Sequence, residues 1–140
     1  MERSEGSVDF VADTTFPIDL WKERRKSGPI THFAELHSTS TIYLPWIAKA
    51  EFLRGAFYAR LDPQEINHFL TSFCILWPTE RTIEIYAEIW GDLARKGKMI
   101  GPNDLWIAAS AIEKKLSLFT RNTREFERVS NLEAINYVTA

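Results

Sequence analysis

Short runs of β-forming apolar residues alternate with helix-patterned stretches along this chain, and that alternation constrains the fold more than any other feature. Val8-Asp9-Phe10-Val11-Ala12, Thr41-Ile42-Tyr43-Leu44, Cys74-Ile75-Leu76-Trp77 and Leu116-Ser117-Leu118-Phe119-Thr120 read as strands, and Ala134 to Val138 reads as an edge strand. Helices are predicted from Pro17 to about Lys26, from Ile30 to His37, and from Pro45 through Glu51 towards Arg60. Asp62-Pro63-Gln64-Glu65 opens another, with an N-cap Asp, Pro at the first helical position and Glu at the capping-box position. Thr79 begins a long helix whose apolar stripe is read as Ile83, Tyr86, Ile89, Trp90, Leu93 and Ala94, ending at Gly97. Gly101-Pro102-Asn103 precedes a helix carrying Leu105, Ala108, Ala109, Ile112 and Leu116, and Thr123 to Val129 forms a last short one. Strands separated by helices imply an α/β fold with a small parallel sheet sandwiched between helices.

At 140 residues the chain suits one domain. That domain is expected over residues 8–138, behind a loose polar leader at residues 1–7. Apolar residues at 45% and charged residues at 26% argue against disorder. The net charge of −2 means that the whole-molecule field does not attract nucleic acid, so a polyanion site must be local. Cys74, alone in an apolar run, reads as a buried structural thiol, which fits a reducing cytosol. Nothing in the polar opening marks the chain for export, and no apolar segment approaches the ~18 residues that span a bilayer. His32, His37 and His68 fall in no metal-binding spacing and read as surface or helix-packing residues.

In an open parallel sheet, ligands bind outside the carboxyl ends of the strands. Asp13 and Asn122 follow strands there, and Asp104 enters the first turn of its helix, where the dipole also favours a carboxylate. Glu51 lies on a mostly apolar helix face, either paired with Arg54 or pointing into a polar pocket. Asn122 and Glu125 have the Asn-x-x-Glu spacing of a capping box. Carboxylates converging without basic partners repel one another unless a divalent cation neutralises them, and oxygen-only ligands favour Mg²⁺ or Mn²⁺. Such an ion activates water and stabilises an in-line displacement at phosphorus, so phosphodiester hydrolysis is the natural expectation.

Four stretches carry a resemblance. The strand ending in Asp13-Thr14-Thr15, then Ala50-Glu51-Phe52-Leu53-Arg54-Gly55-Ala56, Gly101-Pro102-Asn103-Asp104-Leu105-Trp106-Ile107-Ala108-Ala109 and Phe119-Thr120-Arg121-Asn122-Thr123-Arg124-Glu125-Phe126-Glu127-Arg128-Val129 resemble the PIN-domain ribonucleases. Within that family they resemble most the VapC toxins of toxin–antitoxin pairs, in motif order and spacing from about Val8 to Tyr137. The resemblance implies metal-dependent cleavage of RNA, with a tRNA as one substrate class. Its acidic residues fall on Asp13, Glu51 and Asp104, and the fourth position falls on Asn122 or Glu125. Thr15 stands where the family usually has Asn or Ser, and Thr120 is a supporting hydroxyl. The resemblance also implies a cognate antitoxin laid across the acidic site, and homodimers.

Arg121 and Arg124 flank the site as candidate RNA phosphate ligands, and Arg25 stands with Lys22, Arg24 and Lys26 in a basic run that is either an RNA contact or a solvated face. The tryptophans read as core rather than base-stacking platforms, Trp90 above all. A catalytically inactive PIN-like module that binds RNA or a partner is the alternative. An aspartyl-phosphate phosphotransferase would need a second Asp where this chain has Thr15.

Overall fold

The computed structural model describes residues 8–140, so the leader expected at residues 1–7 lies outside the described residues. Strands β1 (Phe10–Ala12), β2 (Ile42–Pro45), β3 (Cys74–Leu76), β4 (Ser117–Thr120) and β5 (Ala134–Asn136) form one parallel sheet in the order β3-β2-β1-β4-β5. The order reverses at β1, which pairs with β2 on one side and with β4 on the other, so β1 and β4 flank the switch point of the sheet. Phe10, Val11 and Ala12 are all buried, as a central strand covered on both faces must be.

The helices are α1 (Thr15–Lys22), α2 (Pro29–Leu36), α3 (Trp46–Tyr58), α4 (Pro63–Leu70), α5 (Glu80–Lys96), α6 (Pro102–Lys114) and α7 (Thr123–Phe126). Their ends follow the expected chemistry. Pro occupies the first turn of α2, α4 and α6, where its missing N–H costs nothing, and the Asp62 carboxylate caps α4 by accepting from the Gln64 N–H. Thr79 and Thr82 close a reciprocal capping box at the start of α5, and Gly97 ends that helix in the left-handed region at φ 64°. α6 packs on β1, β2 and β4 and lies along α5, while α1 packs on β1 and β4.

Rings from several elements fill the core. Phe16, Phe33, Phe119 and Tyr137 meet at centroid distances of 4.9–6.4 Å. His37 packs against Phe33 at 4.6 Å, a helix-packing role. Among the described residues no helix is long and apolar enough to cross a membrane.

Three burial expectations are overturned, the first at Trp77, which is 68% exposed just beyond the edge strand β3. Cys74 is exposed, because β3 is an edge strand and its first residue turns outward. Trp90 is 50% exposed: the buried stripe of α5 is Thr82, Ile85, Ile89 and Leu93, and the stripe through Ile83 and Trp90 faces out. Both stripes satisfy a 3.6-residue period, and only the packing of α6 decides between them.

Candidate active site

Asp13 follows the last residue of β1 and is 3% exposed, with its backbone N–H still donating to the Phe119 carbonyl of β4 at 2.9 Å. Both carboxylate oxygens have hydroxyl partners. Thr15 Oγ1 donates to Oδ1 at 2.5 Å and the Thr15 N–H to the same atom at 3.0 Å, while Thr120 Oγ1 donates to Oδ2 at 2.6 Å. Burial pushes the Asp13 carboxyl up, and these hydrogen bonds work against that rise. The Thr120 hydroxyl in turn accepts from the Asn122 N–H at 2.9 Å, which ties the loop after β4 to the same point.

Glu51 reaches this edge from the second turn of α3. Its Oε1 accepts from Thr14 Oγ1 at 2.6 Å, so it points towards the turn after β1 and makes no ion pair with Arg54 among the described residues. Asp104 stands in the first turn of α6. Glu125 comes from α7 and hydrogen-bonds Asp104, and Asn122 makes no side-chain cap to that helix, so the capping-box geometry is not adopted.

Asp104 is pushed up to about 7, first by burial, then by its hydrogen bond to Glu125 and by the charges of Glu125, Asp13 and Glu51. The charges of Asp13 after β1, Glu51 of α3 and Glu125 of α7 thus all act on Asp104 of α6 at the switch point. Among the described residues no salt bridge reaches any of them. Their donor chemistry, hard oxygen without nitrogen or sulfur, fits Mg²⁺ or Mn²⁺. As the side chains stand, no three His, Cys, Asp or Glu among the described residues are gathered into a chelating group, and Asp104 and Glu125 are drawn together by a hydrogen bond instead.

At the rim, Arg121 follows Thr120 directly. Its N–H donates to Thr15 Oγ1 at 3.4 Å and its guanidinium to Asp19 Oδ1 at 3.0 Å. Arg124 lies exposed on α7 beside Glu125. Arg25 lies beyond the far end of α1, 3.9 Å from Glu65, and its neighbour Arg24 stacks on Trp21 at 4.0 Å and also meets Glu65.

Sequence reasoning missed three residues here. Thr14, which holds Glu51, adjoins Asp13 in a polar turn and was open to notice. Asp19 and Tyr137, whose hydroxyl donates to Asp19 at 2.6 Å, are 118 residues apart and no spacing links them. Burial and the Asp19 hydrogen bond push the Tyr137 hydroxyl up, so it remains a donor at ordinary pH.

Residues 10–132 match the PIN domain family. The chain is 40% identical over 134 residues to ribonuclease VapC2 of Haemophilus influenzae, with 94% of this chain and 99% of that one covered. Over a shorter stretch of 45 residues, 32% of this chain and 34% of the relative, it is 49% identical to the tRNA(fMet)-specific endonuclease VapC of Shigella flexneri. Among solved structures it superposes on VapBC-1 from nontypeable Haemophilus influenzae with a TM-score of 0.78 and 29% identity, covering 93% of this chain and 98% of that one.

Proposed function

Because the chain belongs to the PIN-domain family, in its VapC group, we propose that it is a metal-dependent endoribonuclease, the toxin of a toxin–antitoxin pair, that hydrolyses phosphodiester bonds in RNA. The observation that carries this reading is the crowding of Asp104 by Asp13, Glu51 and Glu125 with no salt bridge among the described residues to relieve it. Such repulsion is tolerated where a divalent ion offsets it.

Asp13, Glu51, Asp104 and Asn122 would hold Mg²⁺ or Mn²⁺, and Glu125 is the fourth acid of the catalytic set. A bound ion supplies Lewis-acid stabilisation of the phosphate and a more acidic water. The chain's own residues do the positioning. Thr15 and Thr120 fix the Asp13 carboxylate and Thr14 fixes Glu51, so two acids from different elements keep their orientation. With Asp104 pushed up to about 7, a cation bound there competes with a proton, so cation binding is linked to proton loss. Thr15 holds Asp13 through its hydroxyl and N–H, which supports a role like that of the family's Asn or Ser.

Arg121 and Arg124 at the rim are the proposed phosphate ligands, and Arg25, beyond the far end of α1, is the outermost RNA contact. tRNA is the proposed substrate class, in keeping with the name of the Shigella flexneri relative. The same proposal includes a cognate antitoxin seated over the acids, a homodimer for which exposed Trp77 and Trp90 supply apolar surface, and residence in the cytoplasm.

The test is cleavage of total RNA and tRNA by the purified protein with Mn²⁺, Mg²⁺ or chelator, followed by sequencing of the new ends. Discrete metal-dependent ends are expected. Intact RNA under all conditions contradicts the reading.

A further inference from the structure

Asp19 belongs to none of the four motifs, yet it joins three parts of the chain at the rim of the acidic site. It follows Thr15 by four residues on α1, so both side chains lie on one helix face. Thr15 fixes Asp13 and also faces the Arg121 N–H, while Asp19 Oδ1 accepts from the Arg121 guanidinium at 3.0 Å. Arg121 is therefore held at both its backbone and its side chain by one face of α1.

The other carboxylate oxygen, Oδ2, accepts from the Tyr137 hydroxyl at 2.6 Å. Tyr137 is 2% exposed and packs edge-on against Phe16 at 5.0 Å, so the group anchoring Asp19 is itself immobilised by the core. The Asp19 side chain is only 12% exposed, whereas that of Arg121 is 44% exposed. One guanidinium N–H is committed to Asp19, and the group has five.

We propose that Asp19 is a positioning residue that, braced by Tyr137, aims the free donors of Arg121 at an RNA phosphate beside the carboxylate cluster. The inference rests on the nuclease reading for its substrate. A planar guanidinium reads a phosphate through paired N–H donors, and a fixed plane loses less freedom on binding than a mobile one. Arg121 also sits between Thr120, which holds Asp13, and Asn122, whose N–H donates to Thr120 Oγ1 at 2.9 Å, so the braced residue lies within the loop tied to the acids.

A double-mutant cycle tests this with initial rates on a metal-activated RNA substrate. Arg121→Ala is expected to raise KM about tenfold, as loss of one charge-assisted contact does, with kcat little changed. Asp19→Ala should raise KM in the same way, Asp19→Asn and Tyr137→Phe less. In the Arg121→Ala background Asp19→Ala should cost nothing more. A full additional loss in that background, or a loss confined to kcat, overturns the proposal. Tyr137→Phe and Asp19→Asn keep the test open if Asp19→Ala does not fold.

A second readout is independent of cleavage: binding of a fluorescein-labelled single-stranded RNA in chelator across a salt series. Arg121→Ala and Asp19→Ala should each flatten the plot of log Kd against log salt by about 0.7, the share of one phosphate on a single strand. If the wild type binds RNA with this dependence but never cleaves it, the nuclease reading fails while the positioning role stands. An Asp19→Ala slope equal to wild type overturns the positioning role whether or not RNA is cleaved.

Discussion

Asp13 and Glu113 each accept from two threonine hydroxyls, and the difference between their surroundings separates a site from a brace. Glu113, on α6, accepts from Thr79 Oγ1 at 3.0 Å and from Thr82 Oγ1 in a short hydrogen bond. It tethers α6 to the capping box of α5 and lines a cavity of about 550 Å³ shared with Arg81 and Lys115. Asp13 stands instead at the switch point of the sheet and adds to the charge borne by Asp104, with Glu51 and Glu125. Threonine partners alone thus mark a fixed carboxylate. Like charge that no described salt bridge relieves, at the carboxyl end of the sheet, is what sets Asp13 apart and makes it the candidate for chemistry.

Activity gives the largest contrast. Asp13→Asn, Glu51→Gln and Asp104→Asn are each expected to lower cleavage by more than about 100-fold, beyond the usual effect of a residue that only supports a ligand. Glu113→Gln should cleave at close to the wild-type rate. Initial rates on one RNA check all four, and a Glu113→Gln loss as large as that of Asp104→Asn would erase the distinction.

Stability should move the opposite way. Thr82 is fully buried and both donates to Glu113 and accepts from the Thr79 N–H at 2.9 Å, so Thr82→Val should cost about 1–3 kcal/mol in denaturant unfolding. Asp104→Asn in the metal-free protein should instead raise the melting temperature, because it removes a repelling charge.

The pH dependence sharpens the same point. A carboxyl raised from 3.8 when unfolded to about 7 when folded binds its proton more tightly in the folded state. Its contribution to stability is therefore greatest below about pH 4, falls as pH rises between these values, and is fully lost above about 7. Unfolding in chelator at pH 5 and pH 8 should show the wild type weaker at pH 8, and Asp104→Asn should show a smaller decline.

The smallest effect separates Asn122 from Glu125. If Glu125 helps hold the ion, Glu125→Gln should raise the metal concentration needed for half-maximal activity, and Asn122→Ala should raise it less. A titration shifted by Asn122→Ala alone keeps Asn122 as the fourth ligand and leaves Glu125 to a catalytic role.

The elements were legible in the sequence because each carries its own local punctuation, as Asp62-Pro63 and Gly97 show. The strand ends and helix start that carry Asp13, Asn122 and Asp104 were legible for the same reason. What escaped depends on which element packs where. The two apolar stripes of α5 are equally periodic, so periodicity alone puts Trp90 inside, and the apolar neighbours of Cys74 mask its edge position. Asp19, Arg121 and Tyr137 meet only because β4 and β5 are sheet neighbours and α1 packs on β4.

The central claim, that the crowded carboxylates await a divalent ion, is tested most directly by thermal melting in chelator and in excess Mn²⁺. At ~100 times its dissociation constant, Mn²⁺ should stabilise the wild type by about 2.7 kcal/mol, given weak binding to the unfolded chain. Glu113→Gln should gain as much, and Asp13→Asn and Asp104→Asn much less. Equal gains in all four proteins would place the ion elsewhere and contradict the account.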